Sequence, residues 1–450
     1  MRVVVLGGTG AMGRWTVRDL TESDGVDEVI VAGRDGARAS ETAGWAAARA
    51  GAIGSAHVSA MVVDARDPGA LRRALARADV VCNCMHYAFN LPVMEACVDT
   101  GTHYVDLGGL FHTTGPQLAL HDRFAAAGVT AVIGMGGSPG TTNLMAAHAA
   151  RDLASVHEVH VRVGMAGFAP WTQPLPVPFA IDTLLDEFSV PAVTYVDGGW
   201  TEVPAMSGLE EVDFPAPVGR LALGHALHSE VATLPLYFAE RGVRTVSFKI
   251  GFPAEFMIRM RLLTGLGLAR TEPLEVDQQP VVPRMVLRRC IEATTSSPAA
   301  EAGPGDAEAI LVRLTGQDRD ERPVEVLAEC VICPHAAWKA GAGQLDTGVP
   351  PSIVAQFLAW GVIDRRGVFA PEEVVPPKPY FEELASRFME VDLITRTHAT
   401  DDRADDRSNK AWRTKSRPER KLTVSAPASL VGHSRQATTE AAPVHGTEVL

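Results

Sequence analysis

The chain has 450 residues, room for two or three domains, and is 46% hydrophobic and 21% charged, the balance of a globular protein with a substantial core. A formal net charge of −13 argues against nucleic acid, whose phosphates call for a basic surface, and against docking on an anionic membrane. Six cysteines are too few for a disulfide framework, no signal-peptide pattern precedes the first strand, and no uncharged apolar run reaches the roughly 18 residues of a membrane span, which together predict a cytoplasmic protein.

Short apolar runs open the chain: Val3–Leu6, Val29–Ala32, Ala60–Val63, Val80–Asn83, His103–Asp106 and Thr130–Gly134 read as strands. Amphipathic segments lie between them, at Met12–Leu20, Pro68–Ala78, Leu91–Thr100 and Pro116–Ala127. That alternation predicts an α/β fold, a doubly wound parallel sheet with helices on both faces. After Gly140 the texture changes. A helix is expected over Asn143–Leu153 and strands at Val159–Gly164, Val243–Gly251, Ala309–Thr315 and Val324–Cys330. Residues 168–220, rich in Pro and Gly, offer few periodic segments and read as long loops. This block predicts a second, mixed α+β sheet domain closing over the first. Ser352–Gly361 and Tyr380–Glu390 read as helices. Residues 396–450 are polar, of mixed charge and nearly free of aromatics, the composition of a disordered tail.

The loop Gly8-Thr9-Gly10-Ala11-Met12-Gly13 joins the first strand to the first helix. In that setting G-x-G-x-x-G is a dinucleotide site of the Rossmann type. The first glycine permits the turn, the second lets backbone approach a pyrophosphate, and the third lets helix pack on strand, while the helix N-terminus presents its positive end to the phosphates. An acidic residue ending the second strand would bind the ribose of NAD; here the chain reads Gly33-Arg34-Asp35. Arg34 suits a 2′-phosphate, so NADP(H) is favoured over NAD(H), with Asp35 pulling toward NAD. Asp64 meets the adenine edge or caps the helix before Pro68, and Cys84 is expected near the cofactor.

Ligands of an open α/β sheet bind outside the carboxyl ends of its strands. Tyr87, His86 and Asp106 stand at such ends, whereas His103 begins its strand and reads as structural. Asp106 either faces the cleft, holding an ammonium or taking a proton, or ties the following glycine loop through backbone N–H groups. His228-Ser229-Glu230 is polar amid apolar residues and reads as substrate-facing, or as a satisfied buried histidine. Cys330-x-x-Cys333-Pro-His335 has no second ligand pair nearby, so no metal is expected.

Taken together, Val3–Gly13, the Tyr87-x-Phe89-Asn90 segment, His103-x-Val105-Asp106-Leu107-Gly108-Gly109, Gly137-x-Pro139-Gly140 with Asn143, Leu227-His228-Ser229 with Thr233, and Gly361 through Glu372 resemble the saccharopine dehydrogenase family over residues 1 to 395. The resemblance implies a Rossmann domain over residues 1–140, an inserted catalytic and dimerisation domain over 141–345, and C-terminal helices over 346–395 that return to the first domain. It implies a homodimer, and hydride transfer between nicotinamide and a carbon bearing an amine. It places Tyr87, Asn90, Asp106, Asn143, His228 and Thr233 around the cleft. Tyr87, Asp106 and His228 are then the expected catalytic residues, and His86, Asn90, Asn143, Glu230 and Thr233 the expected substrate contacts. Expected substrates are amino acids with a side-chain amine, or secondary amines joining two carbon skeletons. The rival readings are an imine reductase joining an amino acid to an aldehyde or keto acid, and a nucleotide-binding regulator without turnover.

Overall fold

The structure, a computed structural model, describes residues 1–50, 56–167, 175–294 and 306–397. The expected tail therefore falls, beyond Thr397, outside the described residues. Six strands come first: β1 (Arg2–Leu6), β2 (Glu28–Gly33), β3 (His57–Val62), β4 (Val80–Asn83), β5 (His103–Asp106) and β6 (Thr130–Val132). The chain then builds β7 (Ser155–Ala166), β8 (Ala192–Val196), β9 (Gly199–Val203), β10 (Glu210–Asp213), β11 (Arg220–His225) and β12 (Thr245–Gly251). A small hairpin, β13 (Leu274–Val276) with β14 (Gln279–Val281), is followed by the long strands β15 (Ala307–Gln317) and β16 (Pro323–Ile332). Two late strands, β17 (Gly367–Phe369) and β18 (Val391–Thr397), return one to each main sheet.

The first sheet has seven strands in the order β17-β6-β5-β4-β1-β2-β3, with every pairing parallel. Residues 3–6 are buried, as expected of a strand covered on both faces, which is why Val-Val-Val-Leu does not alternate. Strand order reverses between β1 and β4, so the crevice opens beyond Leu6 and Asn83. The second sheet is mixed and has nine strands, with β7 at its centre, parallel to β12 and antiparallel to β15. β16 alternates buried and less buried residues along its length, the mark of a sheet covered on one face.

Three sequence expectations change here. The stretch 168–220 is not loop alone: it carries the helix Ile181–Ser189 and strands β8, β9 and β10. The strands have only four or five residues each and β9 and β10 lie largely open to solvent, so their apolar period is too short to read. The C-terminal return brings β17 as well as helices, extending the first sheet beside β6. Residues 396 and 397, assigned to the tail, belong to β18, which pairs with β16.

The returning helix Pro350–Ala359 is buried over residues 350–358, and Cys82 Sγ lies 3.8 Å from the Pro351 carbonyl. Arg387 Nε meets Asp19 Oδ1 at 2.7 Å, both side chains being buried, and the Ser352 hydroxyl donates to the same aspartate. Removing one partner of such a pair strands the other charge, at a cost of about 3–5 kcal/mol. Chain segments more than 360 residues apart are held this way at the back of the nucleotide loop.

Candidate active site

Between the two sheets lies a cavity of about 330 Å³. Its first wall is the nucleotide loop, Gly10-Ala11-Met12, and the segment Cys84–Tyr87 after β4. Its opposite wall comes from the second sheet and its helices: Val163 and Met165 of β7, Ile250 of β12, Glu308 of β15, and Thr183, Glu187 and His228. Leu107–Leu110, Ser138 and Pro139 close one side, and Asp346 and Thr347 another.

The nucleotide loop has the form a dinucleotide needs. A Cβ on Gly13 would lie 2.4 Å from the Gly7 carbonyl oxygen, so only glycine lets the helix Gly13–Glu22 begin this close to the turn. No side chain caps that helix, which leaves its positive end directed at the crevice. Gly8 packs toward Val17 and Val31, and Thr9 sits against Gly33. The residues present thus fit a nicotinamide dinucleotide. Around the adenosine end, Asp35 Oδ1 accepts from Arg38 N at 3.1 Å, starting the helix Gly36–Ala50, and Arg38 Nη2 reaches the Thr9 carbonyl at 3.3 Å. Arg34 is exposed beside them. Asp64 neither caps a helix nor stands free: it pairs with Arg66 at 2.6 Å, whose hydrogen bonds hold its carboxyl down at about 2. The cap before Pro68 is Asp67, which accepts from Gly69 N at 2.8 Å.

Tyr87 and His86 both line the cavity, their rings 4.0 Å apart. The Tyr87 hydroxyl donates to Asp186 Oδ2 at 2.5 Å, and Asp186 is held in turn by Arg284 at 2.6 Å. Burial and then Asp186 push the Tyr87 phenol well above its usual value, so it is a neutral donor. Burial lowers the His86 imidazole, whose Nε2 is buried without a hydrogen-bond partner among the described residues. Cys84 also lines the cavity, and burial pushes its thiol up to about 12.

His228 is the cationic centre of the opposite wall. Its ring stacks on Phe248 at 3.8 Å, Nδ1 lies 2.9 Å from Glu230 Oε2, and Nε2 lies 3.5 Å from Glu187 Oε1. Burial opposes its charge, but the two carboxylates overcome that and raise the imidazole to about 10. Glu230 is not the substrate-facing group its position in sequence suggested. It is wholly buried behind His228 and also accepts from Ser138 Oγ at 2.7 Å and Thr142 Oγ1 at 2.9 Å. Glu187 does line the cavity; burial raises its carboxyl, and its Oε2 has no hydrogen-bond partner among the described residues.

The remaining expected residues sit behind the cavity. Asp106 is 1% exposed and takes four donors: Tyr104 Oη at 2.7 Å, Gln117 Nε2 at 2.6 Å, Gly108 N at 2.8 Å and Gly134 N at 2.6 Å. Of its two sequence readings, the geometry is that of a tie for the glycine loop. Asn90 belongs to the same network, accepting from Asn83 Nδ2 at 2.9 Å. Asn143 donates to Thr233 Oγ1 at 3.1 Å and to Glu372 Oε2 at 3.0 Å, and its Oδ1 accepts from Gly140 N at 3.0 Å. His103 Nδ1 accepts from Thr130 N at 3.0 Å, a structural bond.

Sequence reasoning passed over three carboxylates of the lining. Glu187 lies in the stretch read as loop. Glu308 interrupts an otherwise apolar run, Ala307-Glu308-Ala309-Ile310, a signal that was readable. Asp346 lies in a short glycine-rich helix, Ala342–Gly348, that carries no periodic pattern.

Comparison with known proteins follows the same division. Residues 3–132 match the model of the saccharopine dehydrogenase NADP binding domain, and residues 136–389 that of the saccharopine dehydrogenase C-terminal domain. A carboxyaminopropylagmatine dehydrogenase of Synechocystis is 23% identical over 404 residues, 85% of this chain and 95% of that one. A carboxynorspermidine synthase of Vibrio cholerae is 24% identical over 330 residues, 68% of this chain and 75% of that one. In fold, the chain is similar to the L-Glu-forming saccharopine dehydrogenase of Saccharomyces cerevisiae, with a TM-score of 0.63, 17% identity, and coverage of 88% of this chain and 99% of that one. No helix among the described residues is long and apolar enough to cross a membrane.

Proposed function

This chain belongs to the saccharopine dehydrogenase family of NAD(P)-dependent oxidoreductases, and from that premise we propose that it acts on the C–N bond of a secondary amine, or of the imine that precedes it, whose substrate carries cationic amine groups. One observation carries the choice of substrate. The described residues lining the cavity include the carboxyl groups of Glu187, Glu308 and Asp346 but no Lys or Arg. Such a cavity favours organic cations and disfavours substrates that are anionic at both ends. The two curated relatives named above act, by their names, on amine conjugates, which supports the same reading.

When bound, the nicotinamide gives or takes the hydride at the carbon of the C–N bond. The nitrogen must gain one proton in reduction and lose one in oxidation, and that transfer falls to the protein. His228 is the proposed proton carrier: an imidazolium held near 10 is matched to an alkylamine, so the proton moves between them with little net cost. Glu230 and Glu187 hold its ring and stabilise its charge. Tyr87, fixed by Asp186, is the proposed hydroxyl that orients the reacting nitrogen. Asp106 and Asn90 are proposed to act through the loop they anchor.

For the cofactor, we propose NADP(H). Asp35 is engaged in starting its helix and Asp64 by Arg66, while the exposed Arg34 and Arg38 beside Asp35 supply the cations that a 2′-phosphate would need. The expected homodimer is supported by an exposed apolar row on the helix Ala254–Gly265, where Ile258, Leu262 and the following Leu266 are each at least 60% exposed.

The test follows nicotinamide absorbance. Putrescine, agmatine and lysine are each supplied with a 2-oxo acid or an amino-acid aldehyde and NADPH, and secondary-amine products with NADP. Turnover with at least one cationic amine is expected. Cofactor binding without turnover on any pairing would favour the regulator instead.

A further inference from the structure

The Glu308 and Asp346 carboxyl groups both line the cavity, 4% and 3% exposed, close enough to share a hydrogen bond. Such a contact between two carboxyls requires a proton between them. Glu308 keeps one oxygen, Oε2, buried with no hydrogen-bond partner among the described residues. Asp346 is pressed into place by the main chain: a Cβ on Gly137 would lie 1.5 Å from its Oδ2. Among the described residues neither is paired with a cation, and neither is used by the proton transfer assigned to His228. A buried, unpaired carboxyl oxygen is costly unless something satisfies it in the working state.

We propose that Glu308 and Asp346 form a cation subsite of the cavity, which receives a terminal ammonium or guanidinium group of the substrate and releases its shared proton as that cation binds. This rests on the reading of the protein as an oxidoreductase of cationic amines. The balance is simple: the protonated pair and the cation become an ionised pair with the cation on it, and one proton leaves to solvent. The second positive charge of a diamine-derived substrate is thereby held away from the reacting nitrogen at His228.

The groups around the pair set the pH range. Asp306 stands beside Glu308 and repels its charge, and the Tyr380 phenol from the helix Pro377–Ser386, hydrogen-bonded to Thr141 at 2.7 Å, lies within the field of Asp346. Across the cavity stand His228, Glu187, His86 and Tyr87. Burial holds the Asp346 carboxyl up at about 7, and burial followed by the charge of Asp346 holds Glu308 well above its usual value. Raised acids are protonated below their folded values: below about pH 7 both carboxyls carry a proton, and above it Asp346 is ionised while Glu308 keeps the shared one. Release of a single proton is therefore expected from about pH 7 upward and ends as pH rises through the raised value of Glu308.

Titration calorimetry of the full chain saturated with NADP tests this, with putrescine and agmatine as probes in two buffers of different protonation enthalpy. Proton release is expected with the probe that binds, and which of the two binds tighter assigns ammonium or guanidinium. Glu308→Gln keeps the volume and a hydrogen bond but removes the charge; it is expected to weaken probe binding ~10-fold or more and abolish the release. Asp346→Asn is expected to do the same, and should it fail to fold, Glu308→Gln and the wild-type release still decide. Binding without proton release, wild-type affinity in Glu308→Gln, or no binding of either probe would each overturn the subsite. Turnover of a cationic amine by the wild type would in those cases leave the oxidoreductase reading standing.

Discussion

His228 Nδ1 lies 2.9 Å from Glu230 Oε2 in a buried contact at the cavity wall, with the imidazole flat on the Phe248 ring. The carboxylate behind the ring fixes both its orientation and its charge, against burial that alone would strip the proton. The first prediction follows from that proton. His228→Gln should lower kcat by ~10²–10⁴-fold while leaving cofactor binding intact, the scale of a lost general acid. In the wild type, amine formation should hold to about pH 10 and decline above it as the imidazolium is lost, and the variant should lack that decline. The sign for stability agrees. A histidine raised above its usual 6.5 contributes stability in full below that value, and the contribution disappears as pH rises through about 10. Steady-state rates against pH, with melting curves over the same range, check both; an unchanged alkaline limb in His228→Gln would move the proton to another group.

Asp106 yields the opposite kind of prediction. Four donors converge on its two oxygens, two of them backbone N–H groups of the loops that border the cavity. Asn in its place offers one acceptor and one donor, so an N–H would face an N–H. Asp106→Asn should destabilise by about 1–3 kcal/mol. Once folded and saturated with cofactor, it should turn over within several-fold of wild type. Denaturant melts beside kcat measure the two effects separately, and a large loss of kcat without loss of stability would return Asp106 to the chemistry.

The contrast between these two residues shows what a sequence can carry. Strand β5 was legible because Tyr104-Val105 is apolar, and its end was legible as a ligand-facing position. Which way the Asp106 carboxyl turns depends on Gln117 and Gly134, from two other segments, and no local pattern encodes that. His228 stood out as a polar residue in an apolar run; its partner Glu187 did not, because the helix Ile181–Ser189 is short and set among prolines. The nucleotide loop was readable in full, since its demands are local: a strand, a turn of glycines and a helix start. The β17 return was not, since three residues of strand carry too little period to separate from loop.

The proposed homodimer, through the helix Ala254–Gly265, should be separable by charge. Leu262 is 60% exposed, between Ile258 and Leu266 on one face. Leu262→Glu changes nothing in the core but would place a carboxylate in a dry interface. Sedimentation or light scattering should show a dimer for wild type and a shift of at least ~10-fold toward monomer for the variant. A dimer indifferent to Leu262→Glu uses another face.

The proposed preference for NADP(H) rests on Arg34. Gly33 vacates the position where an acidic side chain would bind the ribose hydroxyls, and Asp35, the nearest substitute, has its Oδ1 on Arg38 N. Asp64 is drawn onto Arg66, with Arg34 adding to the field that keeps it ionised. The carboxylates that would favour NAD are thus engaged, while the guanidinium of Arg34 stands exposed at the end of β2. An exposed arginine to a phosphate dianion is a charge-assisted contact, of the order of 1.5–3 kcal/mol. Arg34→Ala should therefore raise the KM for NADPH by roughly 10- to 100-fold, and that for NADH by no more than a few-fold. Arg38→Ala should act in the same direction and also loosen the loop at Thr9, whose carbonyl Arg38 holds. Both constants are measured by titrating each cofactor at fixed amine. Equal effects of Arg34→Ala on the two cofactors, or a wild type that prefers NADH, would show that Asp35 turns inward to the ribose and that the arginines only clothe the surface.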